Sequence, residues 1–126
     1  MKSLTKEQLK SLITSEHYFT AAQGYAKSVS DNWNSDPYPA ASPDVLDRLT
    51  FCVLVLKNGF SVTGESCCVD PAKYDQTIGE QLAYENAFNK LWLLEGYLLR
   101  QQMHEQEEVA KSLSQFGEDD CEGCKI

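Results

Sequence analysis

Leu49-Thr50-Phe51-Cys52-Val53-Leu54-Val55-Leu56-Lys57-Asn58-Gly59-Phe60-Ser61-Val62-Thr63-Gly64-Glu65-Ser66 is the stretch that decides the fold class. Leu49 to Leu56 is apolar except for Thr50 and rich in β-formers, which predicts a strand. Asn58-Gly59 predicts a type I′ hairpin turn, because both residues tolerate positive φ. Phe60 to Val69 then returns as a second strand, with Phe60, Val62 and Gly64 alternating against Ser61, Thr63 and Glu65. The first strand is apolar on both faces. One face suits a helix of the same chain. The other needs a second cover that the remaining sequence does little to supply, which argues for self-association.

Downstream, Asp70-Pro71 is a good helix entry, with Asp as N-cap and Pro in the first turn, although Lys73 to Asp75 fits a loop equally well. From Thr77 on, Ile78, Leu82, Phe88, Leu91, Leu94, Leu98 and Leu99 fall at three- and four-residue steps, and Met103, Val109, Leu113 and Phe116 continue the series. A helix from about residue 75 to about residue 112 is about 55 Å long at 1.5 Å per residue. That is longer than a domain of this size is wide, a second argument for self-association. The acidic stretch 117–126 predicts a disordered tail behind a single domain of residues 1–116.

Upstream, Thr5 with Gln8 forms a capping box for a short helix ending near Thr14, with Leu9, Leu12 and Ile13 on one face. Residues 16–29 mix aromatics with a glycine and read as partly extended. Residues 30–43 hold Pro37, Pro39 and Pro43 among turn formers and read as loop, and Asp44 to Arg48 adds a single helical turn. The expected fold class is α+β: a short N-terminal helix, an antiparallel sheet based on a β-hairpin, and one long C-terminal helix, assembled as a homo-oligomer.

The chain has 126 residues, which suits one domain. No run approaches the roughly 18 apolar residues of a membrane span, and the N-terminus lacks the apolar core of a signal peptide. A soluble protein that stays in the compartment of its synthesis is the expectation. The net charge of -8 and the presence of only two arginines, Arg48 and Arg100, argue against broad DNA or RNA binding, which needs a basic face. A few local cations still suffice for a small anion. The five cysteines are odd in number and give no disulfide framework. Cys121-x-x-Cys124 lacks a second pair at knuckle spacing, since Cys67 and Cys68 are adjacent, so no metal site is expected. No nucleophile elbow, phosphate loop or paired-histidine zinc motif occurs. The expectation is a non-enzyme with no catalytic residues and no cofactor.

Along the long helix, Glu85, Asn86, Asn89, Lys90, Glu95, Tyr97 and Arg100 sit between the apolar positions. The plain reading is a wet face with local ion pairs. A sharper reading sets Asn86 and Asn89 one turn apart beside Phe88, Trp92 and Tyr97: amides read a base edge or ribose, aromatics stack a purine, and Lys90 and Arg100 meet phosphate. Tyr18 and Phe19 are further stacking candidates, whereas Phe19 and Trp33 also suit a core; Tyr25 and Tyr38 add to the aromatic density of this segment. Lys57, at the hairpin tip, and Arg48 are candidates for a second anionic site at a subunit junction.

Three stretches also resemble a widespread family of small tailed-phage and prophage proteins: Glu16 to Gly24, Thr50 to Ser66, and Glu85 to Leu99 with its Trp-x-x-Glu-Gly-Tyr-x-Leu run. Within that family the chain is similar to the first-described Thoeris anti-defence proteins of phages. The resemblance implies a hexameric sponge in the host bacterial cytoplasm. Such a sponge binds cyclic ADP-ribose isomers, and in some members the cyclic di- and trinucleotides of CBASS immunity, and releases them unchanged. It implies a cyclic nucleotide ligand and self as partners, with no nucleic-acid polymer and no membrane. Two other readings carry different chemistry. One is a phage accessory protein that binds a host protein through its long helix; the other is a nucleotide-processing enzyme, which product turnover would reveal.

Overall fold

A computed structural model describes the backbone of residues 4–31 and 44–125, and the side chains of 4–30 and 44–115. The chain is α+β. In order come α1 (Lys6–Ser11), β1 (Ile13–Thr20), α2 (Ala21–Asp31), a 3-10 turn (Asp44–Arg48), β2 (Leu49–Leu56), β3 (Ser61–Cys67), a second 3-10 turn (Pro71–Lys73) and α3 (Gln76–Lys125). The chain divides into two compact units, Met1–Trp92 and Leu93–Ile126.

In the first unit the sheet is antiparallel with order β1-β2-β3, so the apolar strand is central. Thr50, Cys52, Leu54 and Leu56 of β2 are buried, while Leu49, Phe51, Val53 and Val55 are half-buried. The buried row packs with Val62 of β3, Leu9 of α1, and Ala83, Ala87, Phe88 and Leu91 of α3. Each of the fully buried leucines, Leu9, Leu54 and Leu91, contributes about 1.5–3 kcal/mol by leaving water. Gly64 of β3 is where helix and sheet meet most closely: a Cβ there would overlap the Ala83 carbonyl and the Ala87 backbone nitrogen. Small residues on both elements are therefore what lets α3 lie on the sheet.

Residues 16–29 depart from expectation. They are not partly extended throughout; they divide into a full strand and a helix. β1 pairs with β2 from Ile13↔Leu56 to Thr20↔Thr50, with a bulge at Thr14, whose hydroxyl donates to the Val55 carbonyl at 3.0 Å. The sheet is thus three-stranded. α1 ends at Ser11, short of Thr14, because Ile13 is already committed to pairing with β2. α2 opens with a second capping box, in which the Thr20 amide donates to Gln23 Oε1 at 2.9 Å and the Gln23 amide donates to Thr20 Oγ1 at 3.2 Å.

The hairpin turn also differs. Gly59 has φ 87 and no other described residue has positive φ, so Asn58 is not in the conformation of a type I′ turn. The Gly59 amide donates to the Leu56 carbonyl at 2.9 Å and the Leu56 amide to the Phe60 carbonyl at 2.8 Å. That is a three-residue loop closed by a left-handed glycine, and the Asn58 side chain takes the Phe60 amide at 3.0 Å.

The half-buried row of β2 is served in part by α2, which contacts both β1 and β2. Phe19 and Phe51 meet at 5.6 Å between centroids, and Gly24 of α2 faces the Phe19 ring. The chain thus supplies some of the second cover that the sequence reading found wanting. The second unit is helix alone, with Leu94, Leu98, Val109 and Leu113 exposed. The backbone of α3 runs helical to Lys125, through the acidic stretch read as a disordered tail. Trp33 and Tyr38 lie outside the described residues.

Thr50 is 1% exposed and its hydroxyl has no hydrogen-bond partner among the described residues. Burying such a group is unfavourable. Thr50→Val is expected to leave the protein equally stable or to stabilise it by up to about 1 kcal/mol, as read by urea unfolding.

Candidate ligand-binding cavity

A cavity of ≈ 310 Å³ opens where β3 runs into the start of α3. Its wall includes Arg48, Ser66, Lys73, Tyr74, Ile78 and Leu82. The elements around it are tightly built. Asp70 caps the second 3-10 turn by accepting the Ala72 amide at 3.0 Å, which sets Lys73 and Tyr74 side by side at the rim. Asp75 caps α3 by accepting the Thr77 amide at 2.9 Å. Ser66 donates to the Gly79 carbonyl at 2.6 Å, tying β3 to the first turn of α3.

Arg48 is the half-buried cation of this cavity, with its side chain 13% exposed. Its Nε donates to the Cys68 carbonyl at 3.0 Å, and its Nη1 donates to Asp44 Oδ2 at 3.0 Å. A guanidinium carries five N–H donors in a fixed fork. Nη2 has no partner among the described residues, which leaves that one nitrogen for a ligand. Arg48, Lys73 and the Tyr74 ring, set beside the apolar Val69, Ile78 and Leu82, form the mixed lining typical of small-molecule sites.

A second, shallower cavity of ≈ 510 Å³ is lined by Lys10, Ile13, Thr14, Ser15, Glu16 and Tyr84. Beside it, Tyr18 donates to Glu16 Oε2 at 3.0 Å. Burial, followed by that bond to Glu16, pushes the Tyr18 phenol well above its usual range, and burial also raises Tyr84. A raised folded pKa means the protonated phenols favour the fold. Their stabilisation is complete below about pH 10 and lost as pH rises through the folded values. Stability measured across that range is expected to fall, and less steeply for Tyr84→Phe.

Asn86 donates its side-chain amide to the Glu65 carbonyl at 2.7 Å, covering the edge of β3. Asn89 and Lys90 are exposed on α3. Trp92 is half-buried, edge-on to Phe88 at 6.1 Å. Tyr97 and Arg100 belong to the second unit; Tyr97 is exposed, and Arg100 pairs with Glu107 at 3.2 Å. Tyr18 and Phe19 point to opposite faces of the sheet, as successive strand residues must. Tyr18 packs on the core. Arg48 and Lys57 flank β2 at its two ends, roughly 30 Å apart at strand rise, so one protomer does not bring them to one small ligand. Neither cavity is lined by Asn86, Asn89, Lys90 or Trp92.

Lys73, Tyr74 and Ser66 were not singled out by the sequence reading. The available signal was a cation beside an aromatic, held in a proline-anchored turn between a strand and a helix, where rigid neighbours display side chains to ligands.

Residues 4–103 match the family described as Phage protein (N4 Gp49/phage Sf6 gene 66) family. The chain belongs to this family. The match spans the sheet, the cavity and the first half of α3 in this phage protein. No curated protein and no solved structure matches it. Among its described residues no helix is long and apolar enough to cross a membrane, and no cluster of His, Cys, Asp and Glu is placed to hold a metal ion.

Proposed function

We propose that this phage protein binds cyclic nucleotide immune signals and sequesters them without cleaving them, acting as a homo-oligomer in the host cytoplasm. The ligands are cyclic ADP-ribose isomers or cyclic di- and trinucleotides. The observation that carries the reading is the cavity of ≈ 310 Å³ in which Arg48, whose Nη2 has no partner among the described residues, lines the wall with Lys73, Tyr74 and apolar side chains. Phosphate takes Arg48 Nη2 and the Lys73 ammonium, and a base lies against Tyr74. Three sequence stretches resemble a family of small phage proteins that is associated with such sponges, and this supports the choice of ligand class. The volume suits about one nucleotide unit at the low end of ligand pockets, so a larger cyclic ligand leaves part of itself outside or against a second copy.

The reading moves the anionic contact from Arg100 and Lys90, on the wet face of α3, to Arg48 and Lys73. Calorimetric titration with both ligand classes tests it, followed by recovery of the ligand after denaturation. Saturable binding and a recovered ligand of unchanged mass are expected. No heat with any ligand, or a converted product, rejects the sponge.

A further inference from the structure

The charge around Arg48 is nearly balanced before any ligand arrives. Asp44 Oδ2 takes Nη1 at 3.0 Å from outside the cavity, the Cys68 carbonyl takes Nε, and Asp75 is a carboxylate of the cavity wall, which Lys73 also lines. Two of the three guanidinium nitrogens are therefore occupied. The bidentate fork that recognises a terminal phosphate needs two parallel N–H groups aimed at two oxygens. Here Nη2 is the nitrogen left to a ligand, and much of the neighbouring wall, Val69, Ile78 and Leu82, is apolar.

From this balance we infer that Asp44 sets specificity. By occupying Nη1 it makes the cavity select a singly charged phosphodiester over a doubly charged terminal phosphate. A phosphodiester brings one negative charge and needs one strong donor plus a nearby ammonium. A terminal phosphomonoester carries a charge near -2 at neutral pH, with its second pKa near 6. Placed here, its second charge exceeds what Arg48 and Lys73 can balance, since Asp44 already holds Arg48 and Asp75 also lines the wall. Asp44 is a specificity-determining residue that acts through Arg48 and does not itself touch the ligand. The inference rests on the proposed binding of phosphate-bearing ligands at this cavity and goes beyond it by naming which phosphate is taken and why.

The experiment compares 3′,5′-cyclic AMP with 5′-AMP, which share base and sugar, by titration against the full chain and against Asp44→Asn. Wild type is expected to bind the cyclic diester at least about tenfold tighter at pH 7.5. Asp44→Asn frees Nη1 and removes a negative charge, and is expected to close or reverse that gap. At pH 5 the terminal phosphate takes up a proton, and wild-type discrimination is expected to shrink. Equal affinity of wild type for the two probes, or discrimination unchanged in Asp44→Asn, overturns the inference. So does failure of wild type to bind either probe. If the larger cyclic ligands bind wild type in that last case, the sponge reading stands while the assignment of Asp44 falls.

Discussion

Gly64→Ala is expected to unfold the protein or to cost it about 3 kcal/mol or more in urea, at the upper end of what overpacking does. The added methyl would sit on the Ala83 carbonyl and the Ala87 backbone nitrogen. Backbone atoms of a helix cannot swing aside as a flexible side chain can, so α3 must lift from the sheet. Lifting it exposes Cys52, Leu54 and Leu91, each fully buried. Gly59→Ala is the comparison: nothing lies within 4 Å of its would-be Cβ, and its cost comes only from the strained φ of 87, about 1–2 kcal/mol. A Gly64→Ala protein as stable as wild type would show that helix and sheet are not packed this closely.

The second large effect falls on binding. Arg48→Ala removes the less exposed of the two cations that line the cavity among the described residues, and a hydrogen bond to a charged group is worth about 1.5–3 kcal/mol. Affinity for a cyclic phosphodiester is expected to fall about 10- to 100-fold. Because Arg48 also holds the Cys68 carbonyl, thermal unfolding is measured on the same sample, and Arg48→Lys serves as the milder change. The lysine keeps charge and loses the planar fork, so it is expected to recover part of the affinity. Arg100→Ala is expected to bind as wild type, since its partner is the exposed Glu107 of its own helix. The opposite order, with Arg100 essential and Arg48 dispensable, would return the site to α3.

The hairpin and the long helix were legible in the sequence for physical reasons. β2 spans Leu49–Leu56 as its apolar run indicates, and the Thr5–Gln8 box caps α1 as expected. β1 was hidden because its side chains, Ser15, Glu16, His17 and Tyr18, do not alternate cleanly; a central partner strand fixes it, through contacts 30 or more residues away in sequence. α2 was legible after all, through Thr20 and Gln23, but its aromatic and glycine content masked the cap. The turn type was misread because Asn-Gly fits two loop lengths, and only the pairing of Leu56 with Phe60 separates them. For the site, sequence showed Arg48 as one of two arginines but paired it with Lys57, along a strand whose length keeps the two apart. Lys73 joins it only because the connection from β3 to α3 folds back over the end of the sheet, a relation no local pattern carries.

The most direct test is a crystal structure of the protein soaked with a cyclic phosphodiester nucleotide. A phosphate oxygen is expected about 3 Å from Arg48 Nη2, at ordinary hydrogen-bond distance, with the ring bonds of the ligand intact and the base against Tyr74. A ligand seated on the Asn89 face of α3 with the Arg48 cavity empty, or density for a cleaved product, would contradict it.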